Sequence, residues 1–223
     1  MELTGTSSLT AVWSVVAAFL GFALGWLSAR LTEWVTPPEE AAPIGGTSML
    51  VRDPLVQAGL AVIWAAIPFV VGGNDVVRWL EGGVLAVPLV QVGVTDLRTR
   101  YVYTVVAGIG LLIGLAIGWP FHGADWWWSV VGALGGALAF GLLYALGRLM
   151  YRGGEPMARG DVTIAAMVGA GAANQAATAL VYGVIASGVL ALLVLFVARS
   201  RKVYMPYGPG LCLGGLITLL LAR

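Results

Sequence analysis

The sequence predicts an all-α fold, a polytopic integral membrane helix bundle of about eight transmembrane helices making a single membrane domain over residues 1–223. Composition is the first reason. The chain is 59% hydrophobic and only 10% charged, against about 45–50% apolar and about 25% charged for a soluble domain. The second is a set of long uncharged runs, and the third is the side on which the basic residues between those runs would fall. A formal charge of +1 gives no basic excess, so no nucleic acid partner is expected. One cysteine, Cys212, and one histidine, His122, exclude a disulfide framework and a four-ligand zinc site built from those residue types.

The uncharged runs are 3–29, 54–74, 82–95, 101–124, 126–147, 162–198 and 203–222. A spanning helix needs roughly 20 apolar residues. The run 162–198 is too long for one helix and is read as a hairpin interrupted at Gly169, Gly171 and Asn174-Gln175. The run 82–95 is short, so Trp79 and Leu80 are expected to extend it and Pro88 to bend it.

Eight crossings with residue 1 outside place Arg30, Arg52, Arg98, Arg100, Arg148, Arg152, Arg159, Arg199, Arg201 and Lys202 on the cytoplasmic side. That is ten of the 12 positive charges, as the positive-inside rule requires, with Arg78 and Arg223 outside. Trp119, Trp126, Trp127 and Trp128, near His122, then form an outer aromatic belt. The first helix is not expected to be a signal peptide, because Glu2 stands in place of a basic start and the apolar run is too long. Gly21 and Gly25, then Gly110, Gly114 and Gly118, then Gly132 and Gly136 stand four apart, which lines one face of each helix for close packing. Residues 30–53, containing VTPPEEAAPIGG, read as a short cytoplasmic connector ahead of the helices of 54–223.

Two of the 11 acids stand apart. Asp96 follows the apolar stretch VLAVPLVQVGVT and Asp161 opens VTIAAMVGAGA, so each lies at a helix end, on the cytoplasmic edge by this topology. A carboxyl partly sunk in a bilayer is costly and points to function. Two carboxyls in one site share a proton, as in an aspartic protease, where one takes a proton from water and the other donates to the scissile carbonyl. Gly160 would leave room for a substrate backbone. Position and charge leave a second reading open, in which Asp161 caps its helix and Asp96 pairs with Arg98 or Arg100.

At these residues a resemblance emerges. TDLRTRYVYT resembles the first catalytic motif of the bacterial type IV prepilin peptidases, a family of membrane aspartic proteases, and PMARGDVTI resembles the second, the GxGD motif. LGFALGWLSARL, RDPLVQAGLAVIWAAI and MPYGPGLCLGG are similar to other family segments, in the family's order and over most of the chain. The resemblance implies a leader peptidase with Asp96 and Asp161 as catalytic residues and 54–223 as peptidase core. It would sit in the bacterial cytoplasmic membrane with its site facing the cytoplasm. The substrate would be a prepilin or pseudopilin whose hydrophobic N-terminal helix stays in membrane lipid, with pilus or type II secretion components as further partners. No metal and no organic cofactor is implied.

Departures from the family pattern are Ala158 at the first glycine of GxGD, Thr163 where a lysine is common, and Tyr103-Thr104 where Pro-Asn is common. The two CxxC pairs of bifunctional members are absent, so the resemblance implies cleavage without zinc and gives no support for N-methylation. Arg159 could contact an acidic group of the substrate, or be an ordinary inside-positive residue. Pro206, Gly208 and Pro209 would shape the start of the last helix. Glu155 could hydrogen bond near the dyad, His122 is placed too far away to serve it, and Cys212 is a packing residue. The competing readings are an inactive relative kept as a scaffold, and a small proton- or ion-coupled transporter. Acids at one edge rather than the midplane argue against transport.

Overall fold

The structure, a computed structural model, describes residues 4–35, 54–72, 75–99, 102–150, 157–198 and 207–221. Eight α-helices occur among them: α1 Thr4–Val35, α2 Pro54–Val71, α3 Val76–Thr99, α4 Thr104–Phe121, α5 Trp126–Met150, α6 Arg159–Ala172, α7 Ala176–Ala198 and α8 Gly208–Leu221. A 3-10 turn, Ala173–Gln175, joins α6 to α7. No strand occurs among the described residues.

Among the described residues, six stretches are long and apolar enough to cross a membrane: Thr10–Leu31, Pro54–Val71, Val76–Leu97, Thr104–Phe121, Trp126–Met150 and Arg159–Leu193. The last is counted as one stretch of 35 residues although it contains α6, the 3-10 turn and most of α7. α8 has 14 residues, roughly 21 Å at 1.5 Å per residue, short of a hydrocarbon core of about 30 Å. Length and hydropathy therefore support a helical membrane bundle with six candidate spans, fewer than the eight crossings expected from the runs. Apolar side chains cover the outside of the bundle, with Phe196 88% and Leu149 76% exposed, as lipid-facing positions allow.

α1, α3, α5 and α6 extend past the uncharged runs. α3 starts at Val76 and so carries Arg78, Glu81, Asp96 and Arg98 on the helix itself, and it continues through Pro88. α1 includes Arg30 and Glu33. Charges at helix ends cost little where the helix leaves the apolar core, so a charge marks the interface and not the end of the helix. The hairpin breaks at Asn174-Gln175, the last of the expected interruptions, and not at the glycines before it. α6 runs through Gly169 and Gly171, and the chain turns at Ala173, whose φ is +48°.

α1 packs on α2, α2 on α3, and α3 meets both α4 and α8. α6 is the centre, flanked by α4, α5, α7 and α8, and it is buried over Ile164–Ala170. Only small side chains permit that. A Cβ at Gly132 would strike the Gly169 carbonyl and one at Gly136 the Ala165 carbonyl, so α5 and α6 touch backbone to backbone. Gly114 and Gly118 meet the backbone at Ala170 and Gly171 from α4 in the same way. Gly21 faces the Leu60 carbonyl, where a Cβ would lie 2.6 Å away. The glycine sets read from four-residue spacing are thus the helix crossings.

At one end of the bundle Arg78 Nε donates to the Phe121 carbonyl at 3.0 Å and its guanidinium lies 5.7 Å from the Phe121 ring centroid, tying the start of α3 to the end of α4. The other end gathers the C-terminus of α3 and the N-termini of α6 and α8.

Candidate active site

Asp96 lies in the last turn of α3 and Asp161 in the first turn of α6, and they are only 4% and 2% exposed. The local sequence explains how α6 starts. Ala158 is the N-cap in an extended conformation, φ −78° and ψ 148°, and its N–H donates to Asp161 Oδ2 at 3.2 Å. Asp161 is therefore the third helical residue reaching back to the N-cap, half of a capping box, and not the N-cap itself. Capping and the proposed chemistry use the same carboxyl.

Packing of α3, α6 and α8 brings the two acids together. The Asp161 carboxylate lies near enough to Asp96 to act on it electrostatically, and the Gly208 backbone N–H faces both. Gly208 is the first residue of α8 and is buried. A Cβ there would overlap Asp96 Oδ2 and come within 2.7 Å of Ile164 Cδ1, so only glycine admits the carboxyl at this distance. Asp96 Oδ2 is buried and has no hydrogen-bond partner. The helix dipoles of α6 and α8 both present their positive ends here.

The other sequence-derived positions fall out unevenly. Gly160 does not open a space for substrate. A Cβ there would lie 2.7 Å from Val102 Cβ, so the chain between α3 and α4 fills that side itself. Ala158 has a backbone conformation that alanine adopts freely, so the missing glycine imposes no strain. Arg159 is exposed and its Nε donates to the Tyr144 hydroxyl at 3.2 Å, on α5. Pro209 is buried, with its Cα 3.9 Å from the Cβ position of Gly93 on α3. Pro206, Glu155, Arg100 and most of the connector lie outside the described residues, as does the side chain of Arg98.

One residue the motifs did not mark is Ser187. Its hydroxyl lies 3.0 Å from the Tyr207 carbonyl and 2.8 Å from the Gly183 carbonyl, and it abuts Gly210, so α7 holds the start of α8 in place. No local pattern distinguishes it, because a serine in an apolar helix reads as a back-bonded packing residue.

His122 is remote, as expected. It hydrogen bonds the Gly171 carbonyl, and Gly171 stands ten residues beyond Asp161 on α6, about 15 Å at 1.5 Å per residue. Burial, and then the Arg78 charge, push its pKa down to about 4 against the Gly171 bond. Cys212 is buried against Gly93, a packing position. Among the described residues, no group of three or more His, Cys, Asp and Glu side chains is placed to hold a metal ion.

No family model, curated protein or solved structure matches the chain.

Proposed function

We propose that this chain is an aspartic endopeptidase of the membrane, resembling the type IV prepilin peptidases, in which Asp96 and Asp161 activate water. The single observation that supports this most is the convergence of two buried carboxyls on one backbone N–H, that of Gly208, at one end of an apolar bundle. Two carboxyls held this way carry one proton between them, which is the requirement of an aspartic protease. In this reading the eight helices cross or enter the bilayer, the dyad faces the cytoplasm, and the substrate is a prepilin or pseudopilin cut between its leader and its apolar helix. A site at the membrane edge suits such a substrate, because an apolar helix should not leave lipid to be processed.

The location of the dyad at a bundle end, and not halfway along α3 or α6, favours the peptidase over a transporter. The relaxed backbone of Ala158 removes one motive for the inactive-scaffold reading.

The test is cleavage of a prepilin in membranes by wild type, Asp96→Asn and Asp161→Asn. Wild type should remove the leader, and each variant should lose at least about a hundredfold of that activity while accumulating normally. Normal cutting by both variants rejects the dyad. Failure of wild type on every plausible precursor moves the scaffold and transport readings ahead.

A further inference from the structure

The peptidase reading leaves the two aspartates interchangeable; the structure does not treat them alike. Asp161 sits in the first turn of α6, where the helix dipole favours a negative charge, and its Oδ2 accepts the Ala158 N–H. Asp96 sits in the last turn of α3, where that helix's dipole disfavours one, and it has only the Gly208 N–H at the start of α8, which it shares with Asp161. Asp96 Oδ2 is buried with no hydrogen-bond partner, pressed against Gly208. An ionised carboxylate only accepts hydrogen bonds, so a bare oxygen would be left without compensation, whereas a protonated carboxyl carries its own hydrogen and can give it to the neighbouring carboxylate.

We infer that the resting pair is asymmetric, with Asp161 the ionised base and Asp96 the protonated acid, and with Gly208 the positioning residue that keeps Asp96 dry and close to its partner. This assignment rests on the peptidase reading for its chemistry but not for its protonation states.

The steps follow. Asp161 takes a proton from water as the water oxygen bonds to the scissile carbonyl carbon, and Asp96 gives its proton to the carbonyl oxygen. The result is a gem-diol, a protonated Asp161 and an ionised Asp96. Asp161 then passes its proton to the amide nitrogen as the C–N bond breaks, and one diol hydroxyl returns a proton to Asp96. The products are a carboxylic acid and a free amine, and the pair is reset.

Infrared spectroscopy of the full chain in micelles at neutral pH tests the assignment without substrate. The carbonyl stretch of a protonated carboxylic acid should be present in wild type, absent in Asp96→Asn and retained in Asp161→Asn. Loss of the band in Asp161→Asn with retention in Asp96→Asn reverses the roles. Loss in both shows a proton that belongs to the pair and not to Asp96, and absence in wild type shows two ionised groups; each overturns the inference. If Asp96→Asn does not fold, the Asp161→Asn spectrum decides alone. A band that follows Asp96 in a protein that cuts no precursor sinks the peptidase reading only, and a reversed band in an active protein sinks the assignment only.

Discussion

Gly208 lies against the carboxyl of Asp96 so closely that a Cβ would overlap Oδ2, and the same residue turns its backbone N–H to Asp161. The first residue of α8 is therefore packed between the two aspartates, although it is far from either in the chain.

Gly208→Ala should displace the Asp96 carboxyl. An added methyl in a closed site costs about 1–3 kcal/mol in stability, so the variant should still accumulate. Leader removal should fall by roughly tenfold or more, since small displacements of reacting groups cost on that scale. Wild-type cleavage by a folded Gly208→Ala protein would show that the contact is not part of the site.

Ala158→Gly should change little. Ala158 already has φ −78°, which needs no glycine, and its N–H bond to Asp161 is a backbone bond that survives the change. Cleavage within about twofold of wild type is expected, because glycine and alanine differ by about 1 kcal/mol or less where both fit. A rise from no cleavage to strong cleavage would instead identify the natural chain as a decayed enzyme.

On α5, Gly132→Val and Gly135→Val should behave oppositely. A side chain at residue 132 meets the Gly169 carbonyl, whereas residue 135 has nothing within 4 Å. Thermal unfolding in detergent should show a large loss for the first, upwards of about 2 kcal/mol from separating two backbones, and little for the second. Equal losses would contradict the α5–α6 crossing.

Acid should weaken the end of the bundle that holds His122. Its pKa is lowered to about 4 in the fold, by burial first and Arg78 second, against about 6.5 when unfolded. Above pH 6.5 the ring is neutral in both states and costs nothing. As pH falls from 6.5 towards 4 the unfolded chain binds the proton first, so stability declines, by up to about 1.4 kcal/mol per pH unit before discounting partial exposure. Below 4 the loss levels off. His122→Gln should flatten the melting temperature across that window; an unchanged slope would mean that His122 is not the group responsible.

Much of this protein is legible in the sequence by itself. Partition between lipid and water is a local property of each stretch, so 59% hydrophobic residues in long uncharged runs determine a set of long apolar helices compatible with a membrane bundle. Helical spacing is local too, and Gly110, Gly114 and Gly118, or Gly132 and Gly136, mark packing faces by period alone. The same logic puts Asp96 and Asp161 at helix ends. Only the tertiary structure decided which ends meet. That Asp96, Asp161 and Gly208 converge, that Val102 packs beside Gly160, and that Ser187 holds Tyr207 all depend on contacts between distant segments. Periodicity orients a side chain around its own helix axis; it carries no information about which other helix lies across from it.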